Sequence, residues 1–375
     1  MSDAELRGIR FQEATPELDG ALRALTRECA SGGEIELRLE KEPSYFGAQE
    51  VEGTSRSTLV GEDLSTGKLA AVGNLSTRDI FFNGEAARAA YISGLKIPED
   101  YRHGTLLARG YRALGEIHKR HAPDFCLTTV MKDNVTAQTL LRSGRAGLPL
   151  YQEIGEYVTL AFRPTVLKRI SIPSLKIRSL RPSEHAELLD FLNRNGPKRQ
   201  FFPRYTAQDL SGESGLLKGL SDDCIYVARE SGKIVGTLAL WDQQPFRQWV
   251  VHRYSGRARW MRHPYNWLSK LTSLPVLPPP GKELDQYFLS LMCIEGDRTE
   301  VLESLLGAIS KHDFRRGRAP VVFAGFHQND PLLPCFGRVR CLRFRSTVFL
   351  VNWDRKLRDI SWLKERVPFL DPGSL

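Results

Sequence analysis

The feature that most constrains the fold is an internal repeat, because the chain contains the same order of sequence elements twice. Each half opens with a short alternating strand pattern that runs into a proline and an acidic residue. A strand, a Gly-Lys turn and a second strand come next. An apolar strand, an arginine-bearing loop, a long amphipathic helix and a strand ending near an asparagine complete each half. The matching landmarks are Gly67 and Gly232, Arg102 and Arg298, and Asn134 and Asn329.

The spacing of these landmarks predicts the domain organisation. The shift between matching residues rises from 165 to 196, so the second copy has about 31 additional residues after its hairpin. We expect an α/β (α+β) fold of two tandem domains, each with a mixed central sheet flanked by helices. The predicted domains are residues 1–165 and 166–375, joined by a basic, proline-flanked linker, with an insertion at about 241–280. The last residues, from 353 on, are predicted to form one short helix.

Charge separates the two halves. The 375 residues have a formal net charge of +9, yet residues 1–165 contain 20 Lys and Arg against 23 Asp and Glu. Residues 166–375 contain 33 against 21, so the whole excess lies there. A basic half is suited to nucleic acid, anionic lipid or a phosphorylated molecule, or to solubility alone.

Composition narrows the class of protein. With 41% hydrophobic and 26% charged residues, the chain is typical of globular proteins and unlike disordered or collagen-like ones. It lacks the ~18 consecutive apolar residues of a membrane helix and an apolar signal-peptide core, so we expect a cytoplasmic protein. The six cysteines form no CxxC pair and no zinc-ligand spacing, so no metal is predicted.

Two motifs of the first half indicate a family. Residues 95–102 read LKIPEDYR between an apolar strand and a long amphipathic helix, and residues 134–140 read NVTAQTL. With the order of elements, these motifs resemble the GCN5-related N-acetyltransferases over residues 9–163 and, more faintly, 177–353. The resemblance implies the fold of that family, acetyl-CoA or another acyl-CoA as cofactor, and acyl transfer from the thioester to an amine.

The resemblance also implies roles for particular residues. A helix N-terminus with close backbone approach suits the coenzyme A pyrophosphate, and a parted strand edge suits the pantetheine amides. Arg102 would add positive charge, and Asn134 a side-chain amide, although Asp133-Asn134 also suits a helix N-cap. The implied cofactor-binding residues are Leu95, Lys96, Ile97, Arg102, His103, Gly104, Thr105, Leu106 and Asn134.

The chain departs from the family pattern at two points. The only glycine of the loop, Gly104, stands one place early, and Leu141 occupies the position of the usual tyrosine acid. Tyr151 is a candidate substitute for that acid, with packing in a strand as its alternative. Ser93, in the parted strand, is a candidate to hydrogen-bond a water near the reacting amine. No general base is evident.

The second copy differs in its loop and in its insertion. The loop has three acids, Glu295, Asp297 and Glu300, which would repel a diphosphate, so we expect this copy not to bind coenzyme A. Residues 241–270 contain four of the six tryptophans and six basic residues against one acid. Arg253, Arg257 and Arg259 are candidates for an acidic or phosphorylated acceptor. A packed helical arm, nucleic acid and a membrane surface are the alternatives.

The leading interpretation is an acyl-CoA-dependent N-acyltransferase, in particular an N-acetyltransferase, acting on a small-molecule or peptide amine. One alternative is a non-catalytic protein that binds acyl-CoA or a partner. Another is an aminoacyl-tRNA-dependent transferase, which would use the basic, aromatic insertion to hold tRNA. The sequence is also compatible with a homodimer.

Overall fold

A computed structural model describes residues 8–29, 34–102, 104–145, 147–167, 172–272, 274–312, 314 and 320–375, apart from the side chains of Val166 and Lys270. Within these ranges the chain is a mixed α/β structure, with helices on both faces of one large sheet. The predicted fold class is confirmed.

The first half supplies seven strands and four helices of the described chain. The strands are β1 (Ile9–Glu13), β2 (Ile35–Glu40), β3 (Ser55–Asp63), β4 (Leu69–Phe82), β5 (Glu85–Lys96), β6 (Phe125–Met131) and β7 (Leu150–Phe162). The helices are α1 (Asp19–Glu28), α2 (Tyr45–Ala48), α3 (Leu106–His121) and α4 (Val135–Arg142). The turn between β3 and β4 places Gly67 at a φ of 70°, which the glycine adopts without a steric penalty.

The second half repeats this order and adds to it. Its described strands are β8 (Leu175–Ser179), β9 (Phe202–Pro203), β10 (Ile225–Glu230), β11 (Lys233–Trp241), β12 (Gln248–Tyr254), β13 (Gln286–Ile294), β14 (Val321–His327) and β15 (Cys341–Asn352). Its described helices are α5 (His185–Asn195), α6 (Ala207–Leu210), α7 (Gly256–Thr272) and α8 (Thr299–Ile309). The insertion predicted at 241–280 contains β12 and α7.

The two halves exchange their last strands. The sheet order is β1-β3-β4-β5-β6-β15-β7-β14-β13-β11-β10-β8, so β15 pairs with β6 and β7 pairs with β14. Each half therefore completes its part of the sheet with a strand from the other. The boundary after residue 165 stays a prediction, because neither half closes its own sheet.

Both halves contain the same irregularity at the same place. β5 and β6 run parallel but pair only over residues 89–91 and 125–127, and β13 and β14 pair only over 286–288 and 321–323. Just beyond the last paired residues, β5 has a bulge against β4, and β13 has one against β11. The bulged residues Gly94 and Leu291 have φ values of 58° and 50°. The sheet thus opens into two clefts, one in each half.

The insertion and the C-terminal segment connect the halves. β12 pairs with β2 in a separate two-stranded sheet, which fixes the insertion to the first half. Residues 367–375 lie against the sheet, where Asp371 is buried and the carbonyl of Leu370 accepts a hydrogen bond from Tyr157. The predicted C-terminal helix is wrong: residues 353–375 form two short 3₁₀ turns, because buried polar anchors hold the segment extended.

Candidate functional site

The candidate site is the cleft of the first half, between the diverging ends of β5 and β6. Two hydrogen bonds mark the point where the strands part. Thr128 Oγ1 donates to the carbonyl of Ile92 at 2.8 Å, and the hydroxyls of Tyr91 and Thr129 lie 2.6 Å apart. Beyond these contacts the described ends of the two strands share no ladder pairs. Their facing backbone edges are therefore exposed to whatever enters the cleft.

Apolar side chains are exposed at the mouth of this cleft. Leu95, at the end of β5, is 42% exposed, and Val135, at the start of α4, is 67% exposed. Lys96 turns away from the cleft, because its Nζ donates to the carbonyls of Thr26 and Cys29 at the end of α1. Burial lowers the pKa of Lys96 to about 8. Of this predicted stretch, Ile97 packs beside Leu106, and Leu95 stays partly exposed.

The N-terminus of α3 is the second component of the site. Gly104 has a φ of 66°, and Thr105, at the N-cap position, makes no side-chain cap. Among the described residues, Thr105 does not cap the first N–H groups of α3, so they are candidates for binding a ligand or water. Leu106 is buried in the core beneath. His103 lies outside the described residues.

Arg102 is exposed beside this helix end. Its Nε donates to the carbonyl of Ile97 at 2.9 Å, so the guanidinium lies over the predicted cofactor loop. Asn134 is the N-cap residue of α4, and its Oδ1 accepts from the N–H of Ala137 at 3.2 Å. The capping alternative for Asn134 is therefore correct, and its Nδ2 is the atom that would donate to a ligand. Contact of either residue with a cofactor stays a prediction.

A buried amide lies directly under the bulge of β5. Asn74 is 1% exposed, and its Oδ1 accepts from the hydroxyls of Tyr45 and Thr58. Its Nδ2 has no hydrogen-bond partner among the described residues. A β-carbon at Gly94 would lie 2.7 Å from this Nδ2. A buried donor without a partner costs folding free energy. The space beside Gly94, which has no side chain, is therefore a candidate position for an acceptor oxygen of a ligand.

A buried ionic cluster lies on the same face of the sheet. Ser93 is paired with Asn74 across β4 and β5, and its Oγ donates to Glu52 at 2.8 Å. Lys41 Nζ donates to Glu52 at 2.9 Å, and Arg247 Nη2 lies 3.9 Å from it. Glu52 and Lys41 are 2% and 5% exposed. Arg247 precedes β12, so the insertion contributes to this cluster.

The cations of the cluster keep Glu52 ionised. Burial raises the pKa of this carboxyl, but the charges of Lys41 and Arg247 and the hydrogen bonds of Lys41 and Ser93 outweigh it, so the pKa is lowered. A fully buried carboxylate held by two cations beside a strand bulge is typical of a functional site, although structural ion pairs also occur.

The C-terminal segment extends the cluster. Arg78 donates to the carbonyls of Glu52 and Ser374, and Arg247 donates to that of Gly373. A small cavity of about 20 Å³ lies between this segment and β5, lined by Arg78, Tyr91, Asp371 and neighbouring apolar residues. Its volume suits one water molecule. Burial raises the pKa of Asp371 despite its hydrogen bonds from Ser290 and two backbone N–H groups.

Tyr151 and Ser93 are not brought together. Tyr151 is buried with Tyr111 and Leu141 in the core that contains Ala90 and Ile92, on the opposite face of the sheet from Ser93. Its hydroxyl is hydrogen-bonded to that of Tyr111, and burial raises its pKa well above 10. Tyr151 therefore packs in the hydrophobic core, and its role as an acid stays a prediction.

The equivalent cleft of the second half is occupied by an arginine. Arg199 donates to Asp297 at 2.6 Å and to Asp330 at 2.9 Å, across the opening between β13 and β14. The Arg199 side chain is 13% exposed. Arg298 is paired with Glu230 and Glu300 rather than directed to a ligand. The carboxylates of Asp297 and Asp330 are therefore paired with an arginine of the same chain.

The predicted acceptor-binding arginines lie apart from the buried cluster. Arg253 forms an ion pair with Glu36 at 2.7 Å across β12 and β2. Arg257 and Arg259 are exposed on α7, and the Arg259 guanidinium lies 5.8 Å from the ring of Trp260. The packing alternative holds for Trp241 and Tyr254, which are buried in the domain. Trp260 and Trp267 are exposed, so packing of these two on a partner subunit stays untested.

Several residues of the site were not found from the sequence, namely Lys41, Glu52, Asn74, Arg78, Arg247 and Asp371. They come from both halves and from segments without a motif. The available signal was a charged or amide residue inside an apolar stretch, as at Asn74 and Arg78 in AVGNLSTRDIFF. No group of three metal-ligating residues occurs in the described ranges, and no helix there is long and apolar enough to cross a membrane.

Comparison with solved structures identifies the fold. No protein-family model matches the chain, and no curated protein matches its sequence. One similar structure is the GCN5-related glucosamine N-acetyltransferase region of a fungal multi-domain GH3 beta-N-acetylglucosaminidase, with a TM-score of 0.60 and 13% identity. The match covers 91% of this chain but only 38% of that protein.

Two other structures match over most of both chains. N-myristoyltransferase of Saccharomyces cerevisiae, solved with bound myristoyl-CoA, gives a TM-score of 0.57 at 11% identity, covering 92% of this chain and 83% of that one. A GCN5-related N-acetyltransferase of Sphaerobacter thermophilus gives 0.52 at 10% identity, covering 95% and 98%. The chain therefore has the GCN5-related N-acetyltransferase fold, as its motifs indicate.

Proposed function

We propose that this protein is an acyl-CoA-dependent N-acyltransferase whose first half binds the acyl-CoA. The observation that carries the proposal is the cleft of β5 and β6, with the unpartnered Asn74 amide under its bulge. The second half is not proposed to bind acyl-CoA, because Arg199 bridges the carboxylates of its cleft.

The residues of the first cleft fit such a ligand. The backbone of residues 95–97 would hydrogen-bond the pantetheine, and the exposed side chains of Leu95 and Val135 would be covered by it. The uncapped N-terminus of α3, with Gly104 and Thr105, would hold the pyrophosphate, aided by Arg102. When bound, acyl-CoA would supply the thioester, whose C–S bond is replaced by the C–N bond of the amide, so that coenzyme A leaves as its thiol with the proton given up by the amine. Asn74 Nδ2 is the donor available to an acyl oxygen at the bulge.

Ser93 and Glu52 are proposed to handle the acceptor's proton. Ser93 Oγ donates to Glu52, so its lone pairs stay able to accept a hydrogen bond from an amine N–H. Glu52 is ionised and can take up the proton that passes through the hydroxyl. Its low pKa makes it a weak base on its own, and approach of a positively charged acceptor among Lys41 and Arg247 would be disfavoured. We therefore infer that the amine enters in its neutral form.

The acceptor is an amine, and the acetyl group is the simplest acyl group for the site. Because the insertion supplies Arg247 to the cluster, the second half is proposed to shape the acceptor side. Arg253, Arg257 and Arg259 lie at the surface on the same insertion, so their proposed contact is with an outer part of an acidic or phosphorylated acceptor rather than with the reacting amine.

The test is turnover by the full chain. Acetyl-CoA and a long-chain acyl-CoA are each incubated with a mixture of amines and amine-terminated peptides, free thiol is measured, and products are identified by mass. The matched variants are Ser93→Ala and Ser290→Ala, because Ser290 is the equivalent bulge serine of the second half and donates to Asp371. We expect Ser93→Ala to lower kcat by about 10²-fold, typical of lost proton transfer, and Ser290→Ala to leave it within about threefold.

Two results would count against the proposal. Absence of acyl transfer with every acyl-CoA and amine, while acyl-CoA still binds, would favour the non-catalytic alternative. Equal losses in the two serine variants would remove the assigned role of Ser93, because a general packing effect would then explain both.

A further inference from the structure

Helix α7 presents its apolar side to solvent. The side chains of Trp260, Trp267 and Leu271 are 78%, 68% and 69% exposed, and those of Met261 and Leu268 are 58% and 45% exposed. These five are more than half of the nine large exposed apolar side chains found in the described chain. Their positions, with Pro264 between them, follow the helical repeat and form one continuous stripe. We call these six residues the α7 surface.

Polar contacts fix the helix in this orientation. Asn266 Nδ2 donates to the carbonyl of Leu277 at 2.8 Å, and Asn266 Oδ1 accepts from the N–H of Leu277 at 2.8 Å. Arg262 Nε donates to the same carbonyl at 3.2 Å, and Ser269 is fully buried. The polar side of α7 is therefore the side that packs against the protein. The apolar stripe cannot turn inward without breaking these hydrogen bonds.

The segment that contains the stripe is basic. Arg257 and Arg259 are exposed at the start of α7, whereas Arg253 on the preceding strand is paired with Glu36 and adds no net charge. The sequence has no acidic residue between Asp242 and Glu283. A helix with tryptophan and leucine on one side and arginines beside them has the composition of a segment that lies in the plane of a membrane interface.

We propose that the α7 surface docks the protein on an anionic membrane surface, with the stripe inserted among the lipid chains and the arginines at the headgroups. The charge decides against a second copy of the chain, because two such basic segments would repel each other. Aliphatic Met261, Leu268 and Leu271 decide against nucleic acid, because they cannot stack on bases and gain by leaving water. The inference does not depend on the acyltransferase proposal.

Vesicle co-sedimentation of the full chain tests the inference. Vesicles of phosphatidylcholine alone are compared with vesicles that contain phosphatidylserine, at low and high salt. The double variant Trp267→Ser/Leu271→Ser removes two exposed side chains of the α7 surface. Leu357→Ser is the matched control, since Leu357 is 72% exposed elsewhere. Arg257→Glu/Arg259→Glu tests the charge. Thermal unfolding confirms that each variant folds.

The expected result is binding to the anionic vesicles that weakens with salt. We expect the apolar double variant and the charge-reversal variant each to bind about tenfold more weakly, with Leu357→Ser unchanged. Absence of binding to anionic vesicles would overturn the inference. The inference would also be overturned if the apolar double variant abolished a dimer in solution, or salt-sensitive binding of single-stranded nucleic acid, and left vesicle binding unaffected.

Discussion

The buried pair of Lys41 and Glu52 makes a quantitative prediction about stability. Glu52 lies 2.9 Å from Lys41 Nζ and 3.9 Å from Arg247, and all three side chains are almost fully buried. Glu52→Gln keeps an oxygen that can accept from Ser93 and Lys41 but removes the negative charge. Because two buried cations then lack their carboxylate, we expect the free energy of unfolding to fall by about 3–5 kcal/mol.

Lys41→Met should cost less than Glu52→Gln. In that variant Glu52 keeps the hydrogen bond of Ser93 and the charge of Arg247, so we expect a loss of about 2 kcal/mol. The double variant should lose less than the sum of the two single losses, because the second substitution removes a charge that the first had left unpaired. The expected coupling is about 2–3 kcal/mol.

Urea unfolding of the wild type, both single variants and the double variant measures this cycle at pH 7. Circular dichroism and tryptophan fluorescence must give coincident transitions for the free energies to be used. Losses that add to within about 0.5 kcal/mol would refute the assigned ion pair. A Glu52→Gln variant no less stable than Lys41→Met would refute the role given to Arg247.

Three further substitutions test other parts of the structure. Gly94→Ala should lower the free energy of unfolding by about 1–3 kcal/mol and weaken acetyl-CoA binding, because the φ of Gly94 is 58° and the new methyl group would meet Asn74. Unchanged stability in urea and unchanged affinity in calorimetry would contradict this prediction. Arg199→Met should cost about 2–4 kcal/mol in urea unfolding, with acetyl-CoA affinity unchanged, because it leaves two aspartates of the second cleft unpaired; a loss of affinity would relocate the site. His118→Phe should make stability less dependent on pH. Burial, followed by the charges of Arg358 and His121, lowers the pKa of His118 to about 4. Between about pH 6.5 and 4 the unfolded chain therefore takes up a proton that the folded chain does not. Wild-type stability should therefore fall as the pH falls, by about 1–2 kcal/mol more than in the variant after allowance for solvent screening, and equal pH profiles in urea would exclude this role.

The repeat and the cleft were predictable because each depends on local sequence. The Gly67 and Gly232 turns, the amphipathic pattern of α3 and α8, and the strand that precedes Arg102 all specify their own structure. The family resemblance then located the divergence of β5 and β6.

The exchange of β7 and β15 was not predictable, since either strand could in principle pair within its own half. Strand patterns specify a buried face but not a neighbour. The ionic cluster was missed for a related reason. Glu52, Lys41 and Arg247 are individually ordinary charged residues, and only the pairing of β12 with β2 brings Arg247 to the other two.

The most direct test of the acyl-CoA site uses the N-terminus of α3. Thr105→Asp places a carboxylate at an N-cap that makes no side-chain hydrogen bond, so it should hold or raise the thermal stability of the helix. The same carboxylate would repel a diphosphate bound there. Lys119→Glu is the control, because it adds negative charge at the opposite, exposed end of α3.

The measurement is isothermal titration of acetyl-CoA into the wild type and these two variants. We predict that the wild type binds, that Thr105→Asp binds at least about tenfold more weakly with an unchanged or higher Tm, and that Lys119→Glu binds within about twofold of the wild type. No binding by the wild type, or equal affinity in Thr105→Asp, would contradict the assignment of acyl-CoA to the first half.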